Sequence, residues 1–129
     1  MILCSGAFDG LHAGHIRYLR AARDVDPIQA LRVAIAPDQY IRTVKDREPF
    51  WSQQDRAETV WAVDCVDNVI LQTTQTVAQV ILDLSPRYFV KGADWRGRLP
   101  EDVLAACQVV GAEIVYVDTP GRHVSEARC

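Results

Sequence analysis

Two histidines three residues apart, His12 and His15 in "GAFDGLHAGHIRYL" (6–19), are the side chains in this sequence best placed to do chemistry. If the turn is already helical there, residues at that spacing share one side of the chain, and both rings can meet one ligand. Imidazole donates hydrogen bonds whether neutral or charged, which suits an oxygen that gains negative charge during a reaction. Gly6, Gly10 and Gly14 flank the pair and let backbone approach a ligand closely. A helix that begins near Gly14 turns unpaired N–H groups and the positive end of its dipole to the same place. The expectation is a phosphate site. The spacing is neither G-x-G-x-x-G nor a glycine loop followed by G-K-[ST], so the histidines have to supplement the amides. Two alternatives stay open: a structural pair in a polar turn, and a metal site in which Asp9 adds a third ligand but the i, i+4 pairing of zinc proteases is lacking.

Such a turn acts only if regular elements hold it. Apolar, partly β-branched runs bounded by turn residues predict buried strands at "MILCS" (1–5), "LRVAIA" (31–36), "NVILQ" (68–72), "RYFVKG" (87–92) and "AEIVYVD" (112–118). Between them lie helical patterns. Ile16, Leu19 and Ala22 recur at threes with Arg17, Arg20 and Arg23 on the other side, and Val77, Val80, Ile81 and Leu84 form an i, i+3, i+4, i+7 stripe. Val103, Leu104, Cys107 and Val110 form another, closed by Gly111 as a C-cap. Ser52 with Asp55 marks a helix start whose buried face is Ala57, Val60 and Trp61. Alternation of strand and helix from end to end predicts an α/β fold, a five-stranded parallel sheet with helices on both faces. In such sheets ligands collect beyond the carboxyl ends of the strands, which is where the histidine turn falls. The stretch 37–51, "PDQYIRTVKDREPFW", is weakly patterned, carries Arg42, Lys45 and Arg47, and is expected to be a mobile loop near the ligand.

Composition bounds the partners. With 129 residues, 49% of them apolar, one domain spanning 1–129 is expected to bury its own core. The net charge of −3 offers no bulk attraction for a polyanion, so phosphate has to be held by a local cluster of donors, and nucleic acid is not an expected partner. Four scattered cysteines, Cys4, Cys65, Cys107 and Cys129, show no C-x-x-C pair and suit reduced thiols. No signal-peptide pattern or membrane-length apolar run is visible, and a soluble cytoplasmic protein is expected.

The turn "GAFDGLHAGHIRYLRAAR" with its H-x-G-H core, together with "DRAETVWAVDCVDNVIL" and "FVKGADWRGRLPE", resembles the cytidylyltransferase-like nucleotidyltransferases along almost the whole chain. Within that family, "VKGAD" and "VVGAEIVYVD" resemble heptose-phosphate adenylyltransferase domains, and "DWRG" resembles glycerol-3-phosphate cytidylyltransferases. The resemblance implies a Rossmann-like domain that moves AMP from ATP, or CMP from CTP, to a sugar-phosphate or polyol-phosphate with release of pyrophosphate, assisted by Mg2+ and often as a homodimer. It also implies roles. His12 and His15 would bind the triphosphate and stabilise charge at the α-phosphate and the leaving pyrophosphate, with Lys45 as the loop lysine that clamps phosphates. Ala7 and Phe8 would border the nucleotide through backbone, beside Gly6 and Gly14, and Asp9 would sit near the α-phosphate or a magnesium ion. Arg56 would open the central helix toward the site, and Lys91, Gly92 and Asp94 would lie near base and ribose, with Trp95 either stacking on a ligand or covering the sheet.

The pattern departs from the family near residue 125. A run of hydroxyl residues is expected to hold the β- and γ-phosphates, and Ser125 fits, but Glu126 and Ala127 replace the others. A carboxylate beside a triphosphate repels it. The glycerol-type enzymes carry an arginine where Pro120 stands, with Arg122 and His123 nearby as substitutes. One missing donor at a developing charge costs on the order of 3 kcal/mol. A catalytically impaired nucleotide-binding or regulatory module is therefore the alternative, and RNA binding a third idea that the acidic balance opposes.

Overall fold

A computed structural model describes residues 1–118. Five strands, β1 (Ile2–Gly6), β2 (Leu31–Ile35), β3 (Asn68–Leu71), β4 (Tyr88–Gly92) and β5 (Glu113–Val117), form one all-parallel sheet in the order β3-β2-β1-β4-β5. The helices are α1 (Ala13–Arg23), α2 (Asp38–Val44), α3 (Gln53–Trp61), α4 (Ala78–Leu84) and α5 (Glu101–Val110). This is the Rossmann-like arrangement expected.

Strand alternation decides what packs where. Ile2, Cys4, Val33, Ile35 and Val90 point to the face covered by α1 and α3, where they meet Leu19, Ala22 and Val60. Leu3, Ala34 and Phe89 point to the opposite face and meet Val80 and Ile81 of α4 and Val103 and Cys107 of α5. The three inner strands are almost wholly buried, whereas β3 and β5 are edges and only half covered, with Leu71 44% exposed. Burial on both faces is thus a property of the centre of the sheet, not of all five strands.

Three sequence expectations need correction. Trp61 is 55% exposed, and the buried face of α3 is Arg56 with Val60. Leu104 is largely exposed and Ala106 takes its place in the core. The stretch 37–51 is not wholly a loop: α2 occupies Asp38–Val44, seated by the buried Ile41 against Ala7 and Ala36. Both cap expectations agree with the structure, since Ser52 accepts the Asp55 N–H at 3.2 Å and Gly111 ends α5 with φ +73°.

The sheet has one topological switch point, between β1 and β4, where the crossovers leave toward opposite faces. The β1–β4 ladder pairs Ile2 with Tyr88, Leu3 with Phe89 and Cys4 with Val90, and goes no further. Beyond it the strands are joined by a side chain instead: Lys91 Nζ donates to the Ser5 carbonyl at 3.1 Å and lies 3.4 Å from the Ser5 hydroxyl. The crevice opens there.

Candidate functional site

His12 and His15 sit where β1 hands over to α1, and they cap that helix reciprocally. His12 Nδ1 accepts the Gly14 N–H at 3.1 Å, and His15 Nδ1 accepts the His12 N–H at 3.3 Å. The rings stack with centroids 3.7 Å apart at 22°. The pair is therefore structural, and the cap also sets its tautomer, because a ring whose Nδ1 accepts a hydrogen bond carries its proton on Nε2 when neutral. Capping therefore fixes the tautomer that makes Nε2–H a donor. Burial, then the neighbouring His12 and Lys45 charges, push the His15 pKa down to about 4, so at neutral pH His15 is an uncharged donor. The price is one amide: Gly14 N–H, expected to face the ligand, is used inside the cap.

The turn before the cap is held open by Phe8, a non-glycine residue at φ +52°. Its ring stands edge-on to His15 at 5.1 Å and stacks 6.5 Å from Tyr18. A Cβ on Gly6 would lie 2.9 Å from Phe8 Cε2, so Gly6 is required by the close approach of that ring. Tyr18 in turn donates to the Val90 carbonyl at 2.5 Å and ties α1 to β4.

A cavity of about 380 Å³ lies between the β1–α1 turn, the end of α2 and the turn after β4. Gly6, Ala7, Phe8, Asp9, His12, Gly14, His15, Lys45, Lys91, Gly92 and Asp94 all line it, so the structure brings together every described candidate but one. Among the described residues its wall carries four cations, Lys45, Arg47, Lys91 and Arg98, against two carboxylates, Asp9 and Asp94. The local excess of positive charge is opposite in sign to the whole chain. Lys91 is 8% exposed, and burial lowers its pKa to about 8, with Cys4 and Asp94 opposing the shift and Lys45 adding to it. Trp95, left undecided by the sequence, lines the cavity with Lys91 Nζ 4.6 Å over its ring.

Asp9 lines the cavity, but its oxygens already accept Arg47 Nη1 at 2.7 Å, the Phe50 N–H at 2.9 Å and the Trp51 N–H at 3.0 Å. Burial raises its pKa, yet the Arg47 hydrogen bond and the two amides outweigh this and hold it below the ordinary carboxylate value. Its evident work is to strap residues 47–51 over the turn. Arg56 is the exception among the candidates. It is 1% exposed and off the cavity wall, with Nη1 on the Ala7 carbonyl at 2.7 Å, Nε on the Trp51 carbonyl at 3.0 Å and Nη2 on Asp38 Oδ1 at 2.7 Å. It therefore positions the turn, α2 and the strap rather than facing the cavity.

Ser125, with Pro120, Arg122, His123, Glu126 and Ala127, lies outside the described residues. The sequence reading missed Tyr18, Tyr40, Arg47 and Arg98 as wall residues. Arg47 could have been found from its place two residues beyond Lys45. Tyr18 could have been found from its spacing of three from His15. Tyr40 and Arg98 carried no such signal. Among the described residues no helix is long and apolar enough to cross a membrane, and no group of three or more His, Cys, Asp or Glu could hold a metal ion.

A parallel sheet with a cationic, histidine-capped turn at its switch point is the arrangement with which α/β proteins hold phosphates and nucleotides. The chain belongs to the cytidylyltransferase-like family, whose pattern it matches over residues 3–124. It is 38% identical over 116 residues to the bifunctional protein HldE of Campylobacter curvus, an alignment covering 89% of this chain and 22% of that one. It is 34% identical over 116 residues to the bifunctional protein HldE of Pelobacter propionicus, with the same coverage of each chain. The chain thus spans about a fifth of the length of these relatives. Its fold superimposes with a TM-score of 0.78 on the lipopolysaccharide core biosynthesis protein from Thermoplasma volcanium, at 24% identity, covering 92% of this chain and 95% of that one.

Proposed function

We propose that this chain transfers a nucleoside monophosphate, AMP or CMP, from a nucleoside triphosphate to a sugar-phosphate or polyol-phosphate. Family membership supports nucleotidyl transfer in general, and the observation that carries the reading here is the Nε2–H tautomer imposed on His12 and His15 by the cap, beside four cations on one cavity wall.

In this reading an oxygen of the acceptor's phosphate attacks the α-phosphorus. A new P–O bond forms to that oxygen, the bond from the α-phosphorus to the β-bridging oxygen breaks, and pyrophosphate leaves with the electron pair. A phosphate monoester has a second pKa near 6, so its dianion needs no strong base to become a nucleophile. What the protein supplies is alignment and charge stabilisation. The two imidazole donors sit where charge on the leaving group grows, at no cost of reorganisation. Lys45 and Arg47 neutralise the outer phosphates, and Lys91 faces the reacting centre. Asp94 is the wall carboxylate that would meet magnesium, since the Asp9 oxygens already accept Arg47 and two backbone amides, and so sparse a donor set fits an ion that keeps its water and phosphate ligands rather than one caged by protein. When bound, magnesium supplies further neutralisation of the triphosphate. A homodimer and a cytoplasmic location belong to the same reading.

The test is pyrophosphate release from ATP or CTP with magnesium and a panel of sugar and polyol phosphates. Release that depends on both nucleotide and acceptor, and is lost in His15→Ala, is the expected result. Nucleotide binding without release against the whole panel overturns it and leaves the impaired module motivated by Glu126 and Ala127.

A further inference from the structure

Strands β1 and β4 separate while each goes on pairing with its other neighbour. β1 follows β2 as far as Gly6 with Ile35, and β4 follows β5 as far as Gly92 with Val117, but the β1–β4 ladder stops at Cys4 with Val90. Neither strand has ended there, so the break has a local cause. In a parallel ladder a residue turns its N–H and C=O to the same side, and every second residue faces a given neighbour. The Ile2 N–H donates to the Ala30 carbonyl on the β2 side, and the Tyr88 N–H donates to the Met1 carbonyl across the β1–β4 boundary. By that alternation the next rung would join the Ser5 N–H to the Val90 carbonyl, and the one after it the Gly92 N–H to the Ser5 carbonyl.

Side chains occupy both places. Tyr18, reaching across from α1, donates its hydroxyl to the Val90 carbonyl at 2.5 Å, and the Ser5 N–H faces the same hydroxyl from the other strand. Lys91 Nζ takes the Ser5 carbonyl at 3.1 Å. A direct rung holds its nitrogen and oxygen about 2.9 Å apart, whereas an oxygen seated between them needs room on both sides. The hydroxyl is backed by packed rings and hydrocarbon, since Tyr18 stacks on Phe8 and belongs to the core under α1. Burial, then the Cys4 thiol, push its pKa up, with the Ser5 N–H opposing, so it stays protonated and able to donate.

We infer that Tyr18 is a positioning residue: its hydroxyl stands in for one rung of the ladder, keeps β1 and β4 apart beyond Cys4 and Val90, and so sets the width of the crevice in which Lys91 faces the ligand. Strand order alone makes a switch point, but two adjacent parallel strands can still pair to their ends and leave little space between them. Here the hydroxyl satisfies the backbone groups that would otherwise draw the strands together, and it does so without exposing them to water. Lys91 then bridges the gap one residue further out and carries its ammonium group on the cavity wall. Tyr18 acts through the strands and not on the reacting atoms. Its effect on ligand binding rests on the nucleotidyl-transfer reading, whereas its effect on the ladder does not.

The test has two arms. Scalar coupling through hydrogen bonds, measured by NMR on the ¹³C,¹⁵N-labelled protein, reads the rung directly: the wild type should show none between the Ser5 nitrogen and the Val90 carbonyl carbon. Tyr18→Phe, which keeps the ring and loses only the hydroxyl, should let the rung close and bring that coupling in. In the second arm, calorimetric titration with magnesium and a non-hydrolysable analogue of ATP or CTP should show affinity at least fivefold weaker in Tyr18→Phe. Ile81→Val, in the core on the opposite face of the sheet, should stay within twofold and controls for a general loss of packing. If neither analogue binds the wild type, the nucleotide reading fails and the coupling arm alone decides the wedge. The inference is overturned if the Ser5–Val90 coupling is already present in the wild type, a measurement that needs no variant. It is overturned equally if the ladder stays split in Tyr18→Phe, or if that variant binds a wild-type ligand as tightly as the wild type does.

Discussion

At the scale of single residues the proposed chemistry rests on the stacked imidazoles, and their protonation is the first thing to measure. His15 has its pKa lowered from 6.5 to about 4 by burial. Between those values the unfolded chain binds a proton that the folded chain refuses, so His15 contributes stability above pH 6.5 that is lost as pH falls toward 4. The loss is up to ~3 kcal/mol by the linkage relation. Histidine NMR titration should give a midpoint near 4 for His15. A midpoint at 6.5 contradicts the buried, capping geometry. Lys91 sets the other limb: with a pKa of about 8 it loses its charge as pH rises through that value, and phosphate affinity should fall there. Gly6→Ala probes the packing behind the rings. Its Cβ would press on Phe8, which supports His15, and overpacking of this kind costs roughly 1–3 kcal/mol. Denaturant unfolding with a parallel nucleotide titration should show both lower stability and weaker binding, and an unchanged affinity would separate Phe8 from the site.

Elements explain which side chains reach the cavity. Arg56 ties β1's turn, α2 and the strap 47–51 through three acceptors, and removing it leaves the Ala7 and Trp51 carbonyls and Asp38 unsatisfied. Arg56→Leu should destabilise by about 3–5 kcal/mol in chemical denaturation, as for other broken buried pairs. Arg17→Ala on the exposed side of α1 should stay within about 0.5 kcal/mol. Equal effects of the two changes would refute the positioning role. This contrast also marks what a sequence can show. Strand positions were legible because apolar runs such as "LRVAI" and "YFVKG" have few other fates, and the histidine turn was legible because glycine, imidazole and strand end coincide. Arg56 was not legible as a buried residue, since its burial depends on acceptors 5, 18 and 49 positions away. Trp61 and Leu104 were misplaced for a related reason: periodicity gives a stripe, but the tertiary neighbours choose its centre, and here a buried arginine and Ala106 take the core positions.

At the scale of the whole molecule, the fold concentrates charge that the composition lacks. In a chain of net charge −3, the described residues present four cations and two carboxylates around one cavity at the sheet's switch point. Because those cations are local, a bound polyphosphate should stabilise the folded state without any general affinity for polyanions. A thermal-shift series with ATP, CTP, GTP and UTP plus magnesium should raise the midpoint for at least one nucleotide, while duplex DNA should leave it unchanged. A rise with DNA alone would point to a different surface. The most direct measurement is of the imidazoles themselves: ¹⁵N side-chain spectra of His12 and His15 during titration with that nucleotide. The account predicts that both Nε2–H resonances move on binding while both Nδ1 atoms keep the shifts of hydrogen-bond acceptors. Saturation of the protein with nucleotide while both Nε2–H resonances stay in place would contradict it.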